Sequence, residues 1–358
     1  VNELDQQFTY LPGVGLDIGT AFICRAKQRE DGTEDFLSER DAFYSITPAT
    51  STNAKLIEKS LNHRKAFMLK KDGKFYVIGQ HAVDIANEKQ AQVERPLKKG
   101  VLSASQIDSF GMLAIVIEAL VGKAAFENEQ CIFCYPSPPV DAKFDVIYHK
   151  QRLAEILRSL GYRPKGILES EALIYSELEN EDYTGVSISC GAGMHNISIA
   201  YLGDVLLSMS ISVGGDWVDE RVSSIFNKSE SIIQAEKENN LNLDDPADGI
   251  QLPTTDPNYE ETLRIRKAIL DYYDEMIKYV VEHLAKRLNK KKSVLPKFSQ
   301  PITLVISGGT SMPKGYVERF NQFLSLASLP FTVGEVRRAS NPLTAVARGC
   351  LIFSQLEG

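Results

Sequence analysis

A chain of 358 residues has room for two domains, each with a core of its own. The net charge of −7 argues against a nucleic-acid partner, and no apolar run reads as a bilayer-spanning helix or a signal peptide. Residues 1–10 are mixed and polar, with no basic amphipathic helix, so the chain reads as soluble and cytoplasmic, with no direct membrane insertion.

In chain order, residues 14–27 read as a hairpin around Asp17-Ile18-Gly19-Thr20-Ala21, an apolar strand, a tight turn of small residues and a second strand. Such a turn lets backbone N–H groups form a concave nest for an anion. Strand-like segments flank Lys71-Asp72-Gly73, and residues 107–120 have helical periodicity. Residues 130–135 read as a buried strand stopped by Pro136, Pro138 and Pro139, followed by a helix over 150–160. Gly166-Ile167-Leu168-Glu169 leads into another helix that runs through Leu178.

The opening device then recurs. Residues 188–199 are again strand, small-residue turn and strand, built around Gly191-Ala192-Gly193. Residues 204–213 form a strand ending at Gly214-Gly215, and residues 225–262 are polar enough for a small peripheral subdomain. Residues 261–288 are the longest helical run, with a basic tail at 286–292 that reads as a solvated helix end. Ile306-Ser307-Gly308-Gly309 is a third apolar strand ending in small residues. Two nests on two halves of one chain predict a nucleotide held in a cleft between related α/β domains with mixed sheets.

Five cysteines stand at positions 24, 131, 134, 190 and 350. Cys131-Ile132-Phe133-Cys134 has the spacing of a zinc or redox pair, but residues three apart on a strand point to opposite faces. No second Cys/His pair accompanies it, so buried core thiols are the expectation.

Five motifs together resemble the actin-like ATPase superfamily of actin, sugar kinases and the seventy-kilodalton heat-shock chaperones. They look most similar to bacterial actins of the MreB and MamK type. Asp17-Ile18-Gly19-Thr20-Ala21 is similar to the first phosphate motif, and Arg95-Pro96-Leu97-Lys98-Lys99-Gly100-Val101 to a PL-x-x-G-V segment. Gly214-Gly215-Asp216-Trp217-Val218-Asp219-Glu220 matches GGD-x-x-DE, and Gly308-Gly309 matches the adenosine motif. Asn341-Pro342-Leu343-Thr344-Ala345 resembles the start of the last helix.

The resemblance implies ATP or ADP with Mg²⁺ as ligands. Asp17 would hold waters around the metal, and Glu169 would orient the attacking water, with Glu171 as the rival if the alignment shifts by two. Gly19, Thr20 and Ala21, with Gly191, Ala192 and Gly193, would present N–H groups to phosphate. Gly214, Gly215, Gly308 and Gly309 would line the adenosine. Lys237 would reach base or ribose, or else sit on a solvated helix face.

Two departures bear on turnover. The second phosphate motif of the family begins with Asp and follows its glycines with Thr, where this chain has Ser189 and Met194. Loss of a carboxylate and a hydroxyl implies slow hydrolysis, and restoring both is expected to speed it. His195 reads as an ordinary hydrogen-bonded strand histidine.

The expected architecture is a two-domain actin-like fold with a central nucleotide cleft. Domain I spans 1–180 plus 335–358, with a peripheral subdomain at 35–94. Domain II spans 181–334, with a subdomain at about 225–262. The expected function is a filament-forming actin homologue whose partner is itself. The alternatives are a non-polymerising ATP-regulated scaffold or adaptor, or a chaperone-like ATPase domain, which is disfavoured because the sequence reaches Gly358 just past the last motif. A sugar kinase fits least, with no substrate Asp motif in view.

Overall fold

The computed structural model describes residues 13–89, 91–102, 107–143, 146–239 and 241–357. The polar start at 1–10 lies outside the described residues. The chain opens with β1 (Val14–Ile18), β2 (Phe22–Gln28), β3 (Glu34–Arg40) and β4 (Phe43–Ile46). Then come α1 (Ser51–His63), β5 (Met68–Lys71), β6 (Lys74–Ile78) and α2 (Gln80–Glu88). The short pair β7 (Leu97–Lys98) and β8 (Val101–Leu102) precedes α3 (Ile107–Val121), β9 (Gln130–Tyr135), α4 (Val146–Ser159), β10 (Arg163–Leu168) and α5 (Glu169–Glu177). The second half runs β11 (Gly185–Cys190), β12 (His195–Tyr201), β13 (Asp204–Ile211), α6 (Gly215–Phe226), α7 (Glu230–Glu238) and α8 (Tyr259–Lys290). It closes with β14 (Ile302–Ser307), α9 (Tyr316–Ser325), β15 (Val333–Arg338) and α10 (Ala345–Glu357).

The two halves repeat one topology. The first five-stranded sheet has the order β10-β9-β1-β2-β3 and the second β13-β12-β11-β14-β15. In each, three consecutive strands form an antiparallel meander, and the first of them also pairs with a parallel strand that pairs with another. A smaller sheet, β4-β6-β5, stands beside the first. The inner strands are closed in on both faces, which is why β11 and β12 are buried almost throughout. Residues three apart on β9 do fall on opposite faces. Cys131 packs with Val14 and Leu16, whereas Cys134 packs with Ala172 and Cys350. All five cysteines are free and buried.

Helices α5 and α10 cross where the halves meet. Each follows the last strand of its own sheet and packs on the first strand of the other, α5 on β11 and α10 on β1. Gly349 makes that crossing possible, since it lies directly on the Ala172 carbonyl. The long helix α8 buries Ile265, Ile269, Tyr273, Met276, Val280, Leu284 and Leu288, a stripe at three- and four-residue spacing.

The polar stretch after α7 is pinned from beneath. Arg266, 2% exposed, donates to the carbonyls of Asp248 (2.7 Å) and Asn239 (3.1 Å), and pairs with Glu236 at 3.0 Å. A buried guanidinium with its fork filled fixes a loop that has no ladder of its own. Among the described residues, no helix is long and apolar enough to cross a membrane.

Candidate functional site

One cavity of about 650 Å³ opens where the β1–β2 turn, the β11–β12 turn and the end of β14 converge. The two turns share a construction. The Gly19 N–H donates to the Phe22 carbonyl at 2.9 Å, and the Gly191 N–H to the Met194 carbonyl at 2.9 Å. Gly19 and Gly191 line the cavity as expected, but their N–H groups close the turns and are not free for an anion. Their neighbours Thr20, Ala21 and Ala192 line the cavity, and among the described residues their N–H groups have no protein partner.

The turns also meet each other. A Cβ on Gly193 would stand 2.6 Å from the Thr20 Oγ1 and 2.4 Å from the Gly100 nitrogen. The Gly100 N–H in turn donates to Thr20 Oγ1 at 2.9 Å. Gly193 therefore faces the opposite turn and does not line the cavity. Gly214 is likewise withdrawn, pressed against the carbonyls of Gly191 and Ala192. Gly215, Gly308 and Gly309 do line it. At Gly308 only glycine serves, because φ is +93° and a Cβ would lie 2.4 Å from the Cys190 carbonyl.

The carboxylates of Asp17 and Glu169 both line the cavity. Asp17 is the penultimate residue of β1 and accepts from the Cys134 thiol at 3.0 Å. Glu169 opens α5 and accepts from Ser189 Oγ at 2.5 Å and Asn196 Nδ2 at 2.8 Å. Burial pushes both pKa values up, and Glu169 is pushed further by the facing charge of Asp17. Glu171 is engaged elsewhere: it accepts from the Leu168 N–H (3.3 Å) and the Tyr175 hydroxyl (3.1 Å). Of the rivals, only Glu169 reaches the cavity.

The departures from the family pattern also take on definite contacts. Ser189 holds Glu169, so an Asp there would set a third carboxylate against the other two. Met194, 3% exposed, packs its thioether on Gly100, away from the cavity lining. Reverting the pair would crowd charge at one position and open a void at the other, which argues against the expected gain in rate. His195 is a core residue: its Nδ1–H donates to the Val213 carbonyl (2.6 Å) and its Nε2 accepts from the Tyr316 hydroxyl (3.2 Å). Burial pushes its pKa down to about 4, so the ring is neutral.

Lys237 is neither free nor solvated. Its Nζ pairs with Asp219 at 2.7 Å and donates to the Gly215 carbonyl at 2.8 Å, leaving one N–H for the cavity it lines. Contacts unforeseen from sequence bridge the two sides. Arg95 donates to Asp216 (2.8 Å) and Gln234 (3.0 Å), and Arg40 pairs with Glu238 at 2.5 Å while lying over the Phe22 ring. Each links a residue preceding β9 to α6 or α7.

The donor set suits a hydrated divalent cation that arrives with an anion. Asp17 is a half-buried carboxylate whose hydrogen-bond partner is the neutral Cys134 thiol, a deficit of positive charge that a cation would correct. Among the described residues, no group of three or more His, Cys, Asp or Glu could cage a metal. Mg²⁺ keeps several waters and needs only one or two carboxylates, so Asp17 could hold it beside a phosphate chain.

A two-sheet α/β fold with paired turns over one cavity is the actin-like ATPase fold, and solved structures agree. The chain is similar to the MamK double helical filament (TM-score 0.62, 15% identity, 96% of this chain and 98% of that one). It is similar to MreB5 of Spiroplasma citri bound to AMPPNP (TM-score 0.65, 15% identity, 97% and 96%). It is also similar to the ethanolamine utilization protein EutJ from Carboxydothermus hydrogenoformans (TM-score 0.53, 14% identity, 99% and 92%). At such identities the likeness defines the fold alone. The Volactin family model matches residues 13–354, and the chain belongs to that family.

Proposed function

We propose that this chain binds Mg-ATP in the cavity, hydrolyses it slowly, and assembles into filaments in the cytoplasm. The observation that carries the reading is the convergence of two like turns with Asp17 and Glu169 between them. The unpaired N–H groups of Thr20, Ala21 and Ala192 would receive phosphate oxygens, and Asp17 would hold the hydrated metal. The metal, when bound, supplies charge neutralisation at the phosphates. Glu169 would hold the attacking water, while Gly215, Gly308, Gly309 and the spare N–H of Lys237 would face the nucleoside. Domain I (1–180 with 335–358, subdomain 35–94) and domain II (181–334, subdomain about 225–262) would close on the nucleotide, with Arg40 and Arg95 drawing them together.

Solved relatives lend support at both levels. The MreB5 structures carry AMPPNP or ADP, and the MamK structure is a double helical filament. Sedimentation with negative-stain microscopy, in Mg-ATP, in Mg-ADP and without nucleotide, tests the assembly. Pelleting of long polymers that depends on nucleotide is expected. A chain that stays in the supernatant under all three conditions would instead favour an ATP-regulated scaffold.

A further inference from the structure

We infer that Asn196 is a positioning residue for Glu169, an inference that rests on the reading of the cavity as an ATP site. Glu169 stands at the start of α5, directly after β10 of the first sheet, yet both its oxygens are held from the second. Ser189 on β11 donates to Oε1 and Asn196 on β12 donates to Oε2. Asn196 is wholly buried, and its own Oδ1 accepts from the Ser137 N–H at 3.1 Å, just past β9 of the first sheet. The partners settle which way the amide points: a backbone N–H requires its oxygen, and a carboxylate acceptor requires its NH₂.

The amide of Asn196 is therefore a bridge from the second sheet to two points of the first. A change in how the sheets sit would turn it, and with it the carboxylate. Ser189 alone could not do this, because a hydroxyl rotates about its bond to follow its acceptor, whereas an amide fixed at its oxygen cannot. Both donors are neutral, so they orient Glu169 without cancelling its charge. Each carboxylate oxygen keeps a second lone pair for a water in the cavity. Orientation of a reacting group by tenths of an ångström is worth large factors in rate, and little in the binding of nucleotide.

Asn196→Asp keeps the shape of the side chain but replaces the donor with a second acceptor, and Asn196→Ala removes it. For each full-length variant, fluorescent-nucleotide titration gives affinity and single-turnover phosphate release gives the chemical step. Affinity within about threefold of wild type and phosphate release slower by roughly 10- to 100-fold are expected, with a smaller loss for Ser189→Ala. Phosphate release within about threefold in a binding-competent Asn196→Asp overturns the inference. So does loss of folding, or of affinity, in both variants, which marks a purely structural role. A wild type that binds nucleotide yet releases no phosphate overturns it while leaving the binding site standing. A wild type that binds no nucleotide brings down the underlying reading instead.

Discussion

Glu169→Ala is expected to slow phosphate release from Mg-ATP by about 100-fold, with nucleotide affinity within about threefold of wild type. The asymmetry follows from geometry. Glu169 sits beyond the turns, beside Asp17, and its oxygens are oriented by Ser189 and Asn196. A group that aligns water acts on the transition state, so its loss lowers the rate and leaves binding to the turns and the nucleoside end. Removing a half-buried carboxylate that faces Asp17 also relieves repulsion, so affinity has no reason to fall. Single-turnover phosphate release beside a nucleotide titration checks both halves. Equal losses in rate and affinity would assign Glu169 to binding.

The second large effect is on stability. Gly349→Ala is expected to lower it by roughly 3 kcal/mol or more, since the new methyl has nowhere to go. A Cβ there would lie 1.8 Å from the Ala172 carbonyl oxygen and 2.5 Å from its carbon, both backbone atoms of α5 that cannot swing aside. Either α10 lifts off α5 or β1 loses the helix that covers it. A thermal midpoint lower by roughly 4 °C or more is the corresponding shift for a chain of this size. Gly111→Ala in α3 is the control, because nothing lies within 4 Å of its Cβ position and alanine favours a helix. That variant should melt at or slightly above wild type, and a Gly349→Ala protein that melted with it would refute the packing.

What could be read from the sequence was what is local. The strand–turn–strand pattern around Gly19 and Gly191 declared itself through composition alone, and so did the proline stop after β9. Periodicity alone starts α4 at 150, whereas the helix begins at Val146, because helix ends depend on capping and packing more than on periodicity. The cavity's actual wiring was not legible, because its contacts join residues far apart. Cys134 reaches Asp17 across 117 positions, Arg95 reaches Asp216 across 121, and Asn196 reaches Glu169 across 27. The hydrogen bonds that close the turns through Gly19 and Gly191 were hidden for another reason. Composition shows that a turn is tight, but only its geometry shows which N–H groups point outward. At Met194 the motif shows that a hydroxyl is missing, while the packing of its thioether on Gly100 is seen only in the structure.

Thermal melting with and without Mg-ATP tests the central claim most directly, that this cavity holds a nucleotide. A ligand that prefers the native state stabilises it by about 2.7 kcal/mol at a hundredfold excess over Kd, which is a rise of roughly 3–4 °C here. That rise is expected at millimolar Mg-ATP. It should vanish in Gly309→Trp, whose side chain would fill the nucleoside end, where a Cβ meets nothing closer than Leu343 at 3.8 Å. An unchanged midpoint for the wild type at millimolar Mg-ATP would contradict the account.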